Sequence, residues 1–145
     1  MANDRAKATS WARFIGSRSY VPKATLLLKH FEAGEITRLC DCGCNSFNLK
    51  VPDSSGLEPI LPAGETGGCA IELAYFAGKG GKHAKTVEIN VYVDEKGFFA
   101  GLDVDYCGNS APMPDSPTLV EPPFHLRENV GRMASNSPSE RTRND

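Results

Sequence analysis

The chain lacks any apolar run approaching the ~20 residues of a membrane span, so no crossing helix is expected. Met1 to Phe14 carries charges but no apolar stretch of about 7–15 residues, so no secretory signal is expected. Ala2 follows Met1 and the last residue is Asp145, which gives no lipidation pattern. Charge of one sign is also missing: 16 Lys/Arg face 18 Asp/Glu, a net −2. Phosphate binding wants a basic face, so nucleic acid is not the expected partner. The 14 glycines and 10 prolines follow no fixed period, which excludes a collagen-like chain. No phosphate loop, nucleophile signature or dithiol redox motif is present. Gly78-Lys79-Gly80-Gly81-Lys82-His83 lies between two predicted strands and ends without the Ser/Thr and helix of a phosphate loop. It reads as a hairpin loop, with glycines supplying positive φ.

What is present suits one ordinary soluble domain: 145 residues, 40% hydrophobic and 23% charged. A chain of this length buries roughly two-thirds of its unfolded surface and needs neither metal nor disulfide to hold a core. The charge is unevenly laid out. Residues 1–35 carry six Lys/Arg against three Asp/Glu, whereas residues 36–105 carry six against ten. An acidic centre suits a cationic protein partner.

Ala8, Trp11, Phe14 and Ile15 recur on one face of a helix predicted over residues 4–15, ended by Gly16. Ala24, Leu27, Leu28 and Phe31 form a second stripe, opened by Pro22 and closed by a left-handed cap at Gly34. Beyond Glu35 the period changes from 3.6 to 2. Alternation predicts strands over 47–51, 70–76, 86–93 and 98–106, with Asp94-Glu95-Lys96-Gly97 as a hairpin turn. Pro52–Gly68 reads as a long loop. The proline-rich segment after Cys107 is expected to wrap the domain in extended form, anchored by Leu119, Val120 and Phe124. Residues 129–145 hold few apolar side chains and are expected to be a disordered tail on a single domain of residues 1–128. The expected fold is α+β, with two N-terminal helices packed on an antiparallel β-meander of four to five strands.

Two constellations carry chemistry. Cys40-Asp41-Cys42-Gly43-Cys44 places three thiols on one side of an extended segment, and Cys107 offers a fourth ligand for zinc. The C-x-C-x-C spacing departs from the paired C-x₂₋₄-C of structural zinc sites, so small buried thiols are the competing reading. Five cysteines without a secretory signal point to a reducing cytoplasm. Cys40 and Cys42 are not expected to bridge, because Cα atoms two apart on a strand lie ~6.5 Å from each other, near the limit of disulfide geometry.

The second constellation is acidic. If Val87, Ile89, Val91, Leu102 and Val104 face the core, then Glu72, Glu88, Asp103 and Asp105 collect on the outer sheet face. The same register puts Tyr92 and Phe99 beside them. Paired carboxylates also suit general acid/base work in a hydrolase. Aromatics beside carboxylates equally make a docking surface for a basic partner.

The meander from Cys69 to Cys107 with its acidic outer face, together with the Cys40–Phe47 run and Asp103-Val104-Asp105-Tyr106-Cys107, resembles in general plan the small bacterial immunity proteins of contact-dependent and polymorphic toxin systems. That resemblance implies a non-enzymatic cytoplasmic inhibitor without a cofactor, binding a basic cognate toxin through Glu72, Glu88, Tyr92, Phe99, Asp103 and Asp105. The alternatives are a small zinc-binding domain using Cys40, Cys42, Cys44 and Cys107, and a hydrolase using the acidic face.

Overall fold

A computed structural model describes residues 3–40, 44–61, 68–78, 85–111, 113–114 and 117–128. Helix α1 spans Arg5–Gly16, and its N-cap Asp4 accepts a hydrogen bond from the Lys7 amide at 2.8 Å. That bond satisfies one of the donors every helix start leaves open. Helix α2 spans Ala24–Ala33. It starts after Lys23, which takes the left-handed conformation at φ 56, and not at Pro22. Gly34 closes it in extended backbone at φ −93, where a left-handed cap was expected. The helices meet at Gly16: a Cβ there would approach Leu28 Cβ to 2.8 Å, so only glycine lets the chains come this close.

The sheet has six antiparallel strands in the order β1-β2-β5-β4-β3-β6. They are β1 (Glu35–Leu39), β2 (Phe47–Lys50), β3 (Gly68–Ala77), β4 (Lys85–Val93), β5 (Phe99–Tyr106) and β6 (Leu119–Glu128). The α+β class therefore holds, with more strands than the expected four to five. Only β3-β4-β5 is a meander. The β1–β2 hairpin joins it on β5, and β6 returns to pair with β3. Strand β1 is invisible to a period-2 reading because its register shifts between Ile36 and Arg38. Of the proline-rich segment, Leu119–Glu128 is extended, but as a ladder strand at the sheet edge; of the three expected anchors only Leu119 packs against the core, while Val120 and Phe124 are exposed. An edge tolerates Pro122 and Pro123, since their missing N–H groups need no partner on the open side.

The core lies between the helices and one sheet face. Ile15 and Leu27 reach down from the helices onto Leu73, Ile89, Val91 and Val104, all essentially inaccessible to solvent. The predicted burial of Val87, Ile89, Val91, Leu102 and Val104 holds throughout. Ile60 and Leu61, read as part of a long loop, are also buried, and the Ile60 amide donates to the Gly97 carbonyl at 2.7 Å. That segment closes the end of the β4–β5 hairpin. His30 of α2 is buried against it. Its Nε2–H donates to the Glu58 carbonyl at 2.7 Å and its Nδ1 accepts from the Phe99 amide at 3.2 Å. The tail from Asn129 and most of the Gly78–His83 run lie outside the described residues.

One register expectation fails. The sequence put Phe99 on the outer face; it is buried. The register shifts between Tyr92 and Val93: Tyr92 pairs with Gly101, while Val93 pairs with Phe99. Ala100 is thus an extra residue, a β-bulge, and each residue before it turns to the opposite face from the one simple alternation assigns. Gly101 makes the bulge possible, with φ 152 and a backbone so close to the Phe47 carbonyl oxygen that a Cβ would overlap it.

Candidate functional site: the uncovered sheet face

Both helices pack on one side of the sheet, and among the described residues no element covers the other side. Cross-strand pairing sorts its side chains into rows. One row runs Arg127, Glu72, Asn90, Asp103 across β6, β3, β4 and β5. The next runs His125, Ala74, Glu88, Asp105. A third runs Cys69, Tyr92, Gly101, Asn48. Five of the six predicted binding residues, Glu72, Glu88, Tyr92, Asp103 and Asp105, therefore share this face, and Phe99 does not. Among the described residues, β3, β4 and β5 present no Lys or Arg here. The cations Arg38, Lys50 and Arg127 sit on the flanking strands β1, β2 and β6.

The carboxylates differ in how they are held. Asp103 is exposed, and its Oδ1 accepts from Ser46 Oγ at 2.7 Å. Ser46 is itself fixed, accepting from the Val104 amide at 2.9 Å and from Cys44 Sγ at 3.3 Å. Glu72 lies 3.3 Å from His125 Nε2. Glu88 stands directly opposite Asp105. Asp105 is half-buried, and its Oδ1 is cut off from solvent with no hydrogen-bond partner among the described residues. Like charges directly opposite across a sheet are unfavourable.

Tyr92 keeps about a third of its surface exposed. Burial of the rest raises its phenol pKa, helped by nearby Cys69, Asp103 and Glu72, so it stays a neutral donor. Burial and the Glu72 charge push the Cys69 thiol up to about 11, so it is an unreactive neutral group. Towards β6 the face becomes apolar. Phe76 and Phe124 stack with centroids 4.3 Å apart, and Val120 is exposed beside Phe76.

Two hollows mark the face. One, of about 590 Å³, lies over Gly101 between Tyr92, Asn48, Ser46 and Asp103. The other, of about 380 Å³, lies over Ala74 between Glu72, Glu88, Phe124 and His125. Each sits where the row has a glycine or alanine among long side chains. A third concavity, about 580 Å³, lies between α1 and β6 over Trp11 and Phe14. Its charges are mutually engaged: Arg18 makes a two-point pair with Glu121 at 2.7 and 3.0 Å and stacks over Phe14. Glu121 also accepts from Tyr20, whose oxygen lies 2.9 Å from that of the buried Tyr75. Arg18, Tyr20 and Glu121 thus clamp the segment that follows α1 to β6.

The cysteine constellation does not assemble as expected. Cys40 is in a disulfide, which corrects the reading of the run as small buried thiols in a reducing cytoplasm and removes a thiolate from the proposed zinc set. Cys44 is buried against Ser46, and Cys107 sits in the 3₁₀ turn Cys107–Asn109 after β5. Cys42 lies outside the described residues. Among the described residues, no group of three or more His, Cys, Asp or Glu side chains converges as a metal site.

Sequence reasoning missed Ser46, His125 and Arg127. The alternation Phe124-His125-Leu126-Arg127-Glu128 carries a strand signal that the two preceding prolines obscure. Ser46 has no local signal, because its partner Asp103 comes from a distant strand. Among the described residues, no helix is long and apolar enough to cross a membrane. Compared with known proteins, the chain matches no family model, no curated protein and no solved structure.

Proposed function

We propose that this chain is a non-catalytic binding domain that docks a basic protein on its bare sheet face, most concretely as an immunity-type inhibitor that masks a cognate toxin. One observation carries the reading. Glu72, Glu88, Asp103 and Asp105 occupy the three central strands, while among the described residues the cations on this face are confined to the flanking ones. An acidic centre bordered by exposed Tyr92, Phe76 and Phe124 has the charge and the aromatic anchors of a protein interface. The opposed pair Glu88 and Asp105 is a local cost in the free chain that an incoming cation relieves. The same charges repel a phosphate backbone. This reading takes the shared compartment of inhibitor and toxin to be the cytoplasm, against which the Cys40 disulfide counts.

The test pairs the chain with the product of the adjacent reading frame in a growth-protection assay. Wild type should rescue growth. The double variant Glu88→Lys, Asp103→Lys should fail to rescue while keeping its melting temperature within a few degrees, since exposed charges move stability by only about 0.5 kcal/mol. Rescue by the double variant at wild-type level would place the interface elsewhere.

A further inference from the structure

We infer that the hollow over Gly101 is a socket for an arginine side chain of the docking partner. The inference rests on the acidic-face reading and specifies which cation the face is built to take.

The floor is Gly101, the one residue of its row without a side chain between Tyr92 and Asn48. The bulge enforces that gap, because a Cβ at Gly101 would overlap the Phe47 carbonyl oxygen. One wall is the exposed Tyr92 ring. The opposite corner is Asp103, one oxygen of which is engaged by Ser46, leaving Oδ2 without a hydrogen bond among the described residues. Ser46 is anchored to the backbone of β5 through the Val104 amide, so the carboxylate is oriented before any partner arrives. Asn48, on the exposed side of β2, adds an amide at the rim.

An aromatic ring beside a fixed carboxylate matches a guanidinium better than an ammonium. The guanidinium is planar, stacks on aromatic faces and presents several donors in a fixed fork. A lysine brings the same charge but only a strongly hydrated point. The site over Ala74 differs, because His125 already lies against Glu72 there.

The test uses the full chain and two capped tripeptides, acetyl-Gly-Arg-Gly-amide and acetyl-Gly-Lys-Gly-amide, titrated at low ionic strength while backbone amide shifts are followed by NMR. The arginine peptide should move Tyr92, Gly101 and Asp103 most, and bind about three- to fivefold tighter than the lysine peptide. Asp103→Asn should weaken the arginine peptide about tenfold. Tyr92→Leu should erase the preference for arginine over lysine, and the spectra of both variants report directly that the fold is kept. Equal affinities, or shifts centred on Glu72 and Glu88 that survive Asp103→Asn, would overturn the socket and leave the acidic face standing. Absence of any shift across the face would overturn both.

Discussion

His30 shows how much a single buried side chain can fix. Its two nitrogens are committed to opposite roles, Nε2–H donating to Glu58 and Nδ1 accepting from Phe99, which specifies the neutral ring. Protonation would set a second N–H against the Phe99 amide. Burial lowers the His30 pKa, against smaller opposing contributions from the Glu58 carbonyl and Asp94. The sign follows: the unfolded chain takes up the proton more readily, so the stabilisation is complete above the ordinary value of 6.5 and is lost as pH falls below it. Melting temperature measured from pH 8 to 5 should fall on the acid side for wild type and flatten in His30→Gln. That variant should also be less stable by about 1–3 kcal/mol, through a misfitted buried polar group. Glu88 raises the opposite question, since the ladder sets it directly across from a second carboxylate, Asp105. Glu88→Gln removes the like-charge opposition to Asp105 and should stabilise the chain by about 0.2–1 kcal/mol. Urea unfolding checks this. An unchanged midpoint would mean that solvent already screens the pair.

At the scale of elements, the bulge in β5 decides which aromatic lies on the outer sheet face, Tyr92, and which in the core, Phe99. Gly101→Ala should destabilise by at least about 1–3 kcal/mol, because it combines a positive φ with overlap on the Phe47 carbonyl. Chemical denaturation reads the loss directly. The same bulge explains what was and was not legible in advance. Strict alternation places Val87, Ile89, Val91, Leu102 and Val104 correctly, and with them Glu88, Asp103 and Asp105. Alternation has no means of marking an extra residue, so Phe99, three residues before Leu102, came out on the wrong side. The helices were readable because their apolar stripes are long. Strand β1 was not, since its register slips after Ile36 and none of its residues is fully buried. Strand β6 was legible as extended chain but not as a ladder partner of β3, because that pairing is a tertiary fact.

For the whole molecule, oxidation state is the property the structure changes most. A disulfide at Cys40 consumes two of the five thiols, while Cys44, Cys69 and Cys107 are not disulfide-bonded. Thiol titration of denatured, unreduced protein should therefore count three. A count of five would mean that the chain is fully reduced as isolated, and would restore the argument for a reducing compartment that the disulfide removes.

The strand order also dictates a sequence of assembly. The strands β3, β4 and β5 follow one another along the chain, so they meet after closing only short loops. Phe47 must find Leu102, and Leu73 must find Leu126, across long stretches of intervening chain. Closure entropy favours the near contacts first, so the central meander forms the template on which the edges condense. That template already carries Glu72, Glu88 and Asp103 together. The hollow over Gly101 is complete only when β2 arrives with Ser46 and Asn48. On the proposed docking, attraction for a cation would thus precede discrimination between cations in the history of each molecule: a chain still gathering its edges would draw a basic partner near, and only the closed sheet would tell which side chain it holds.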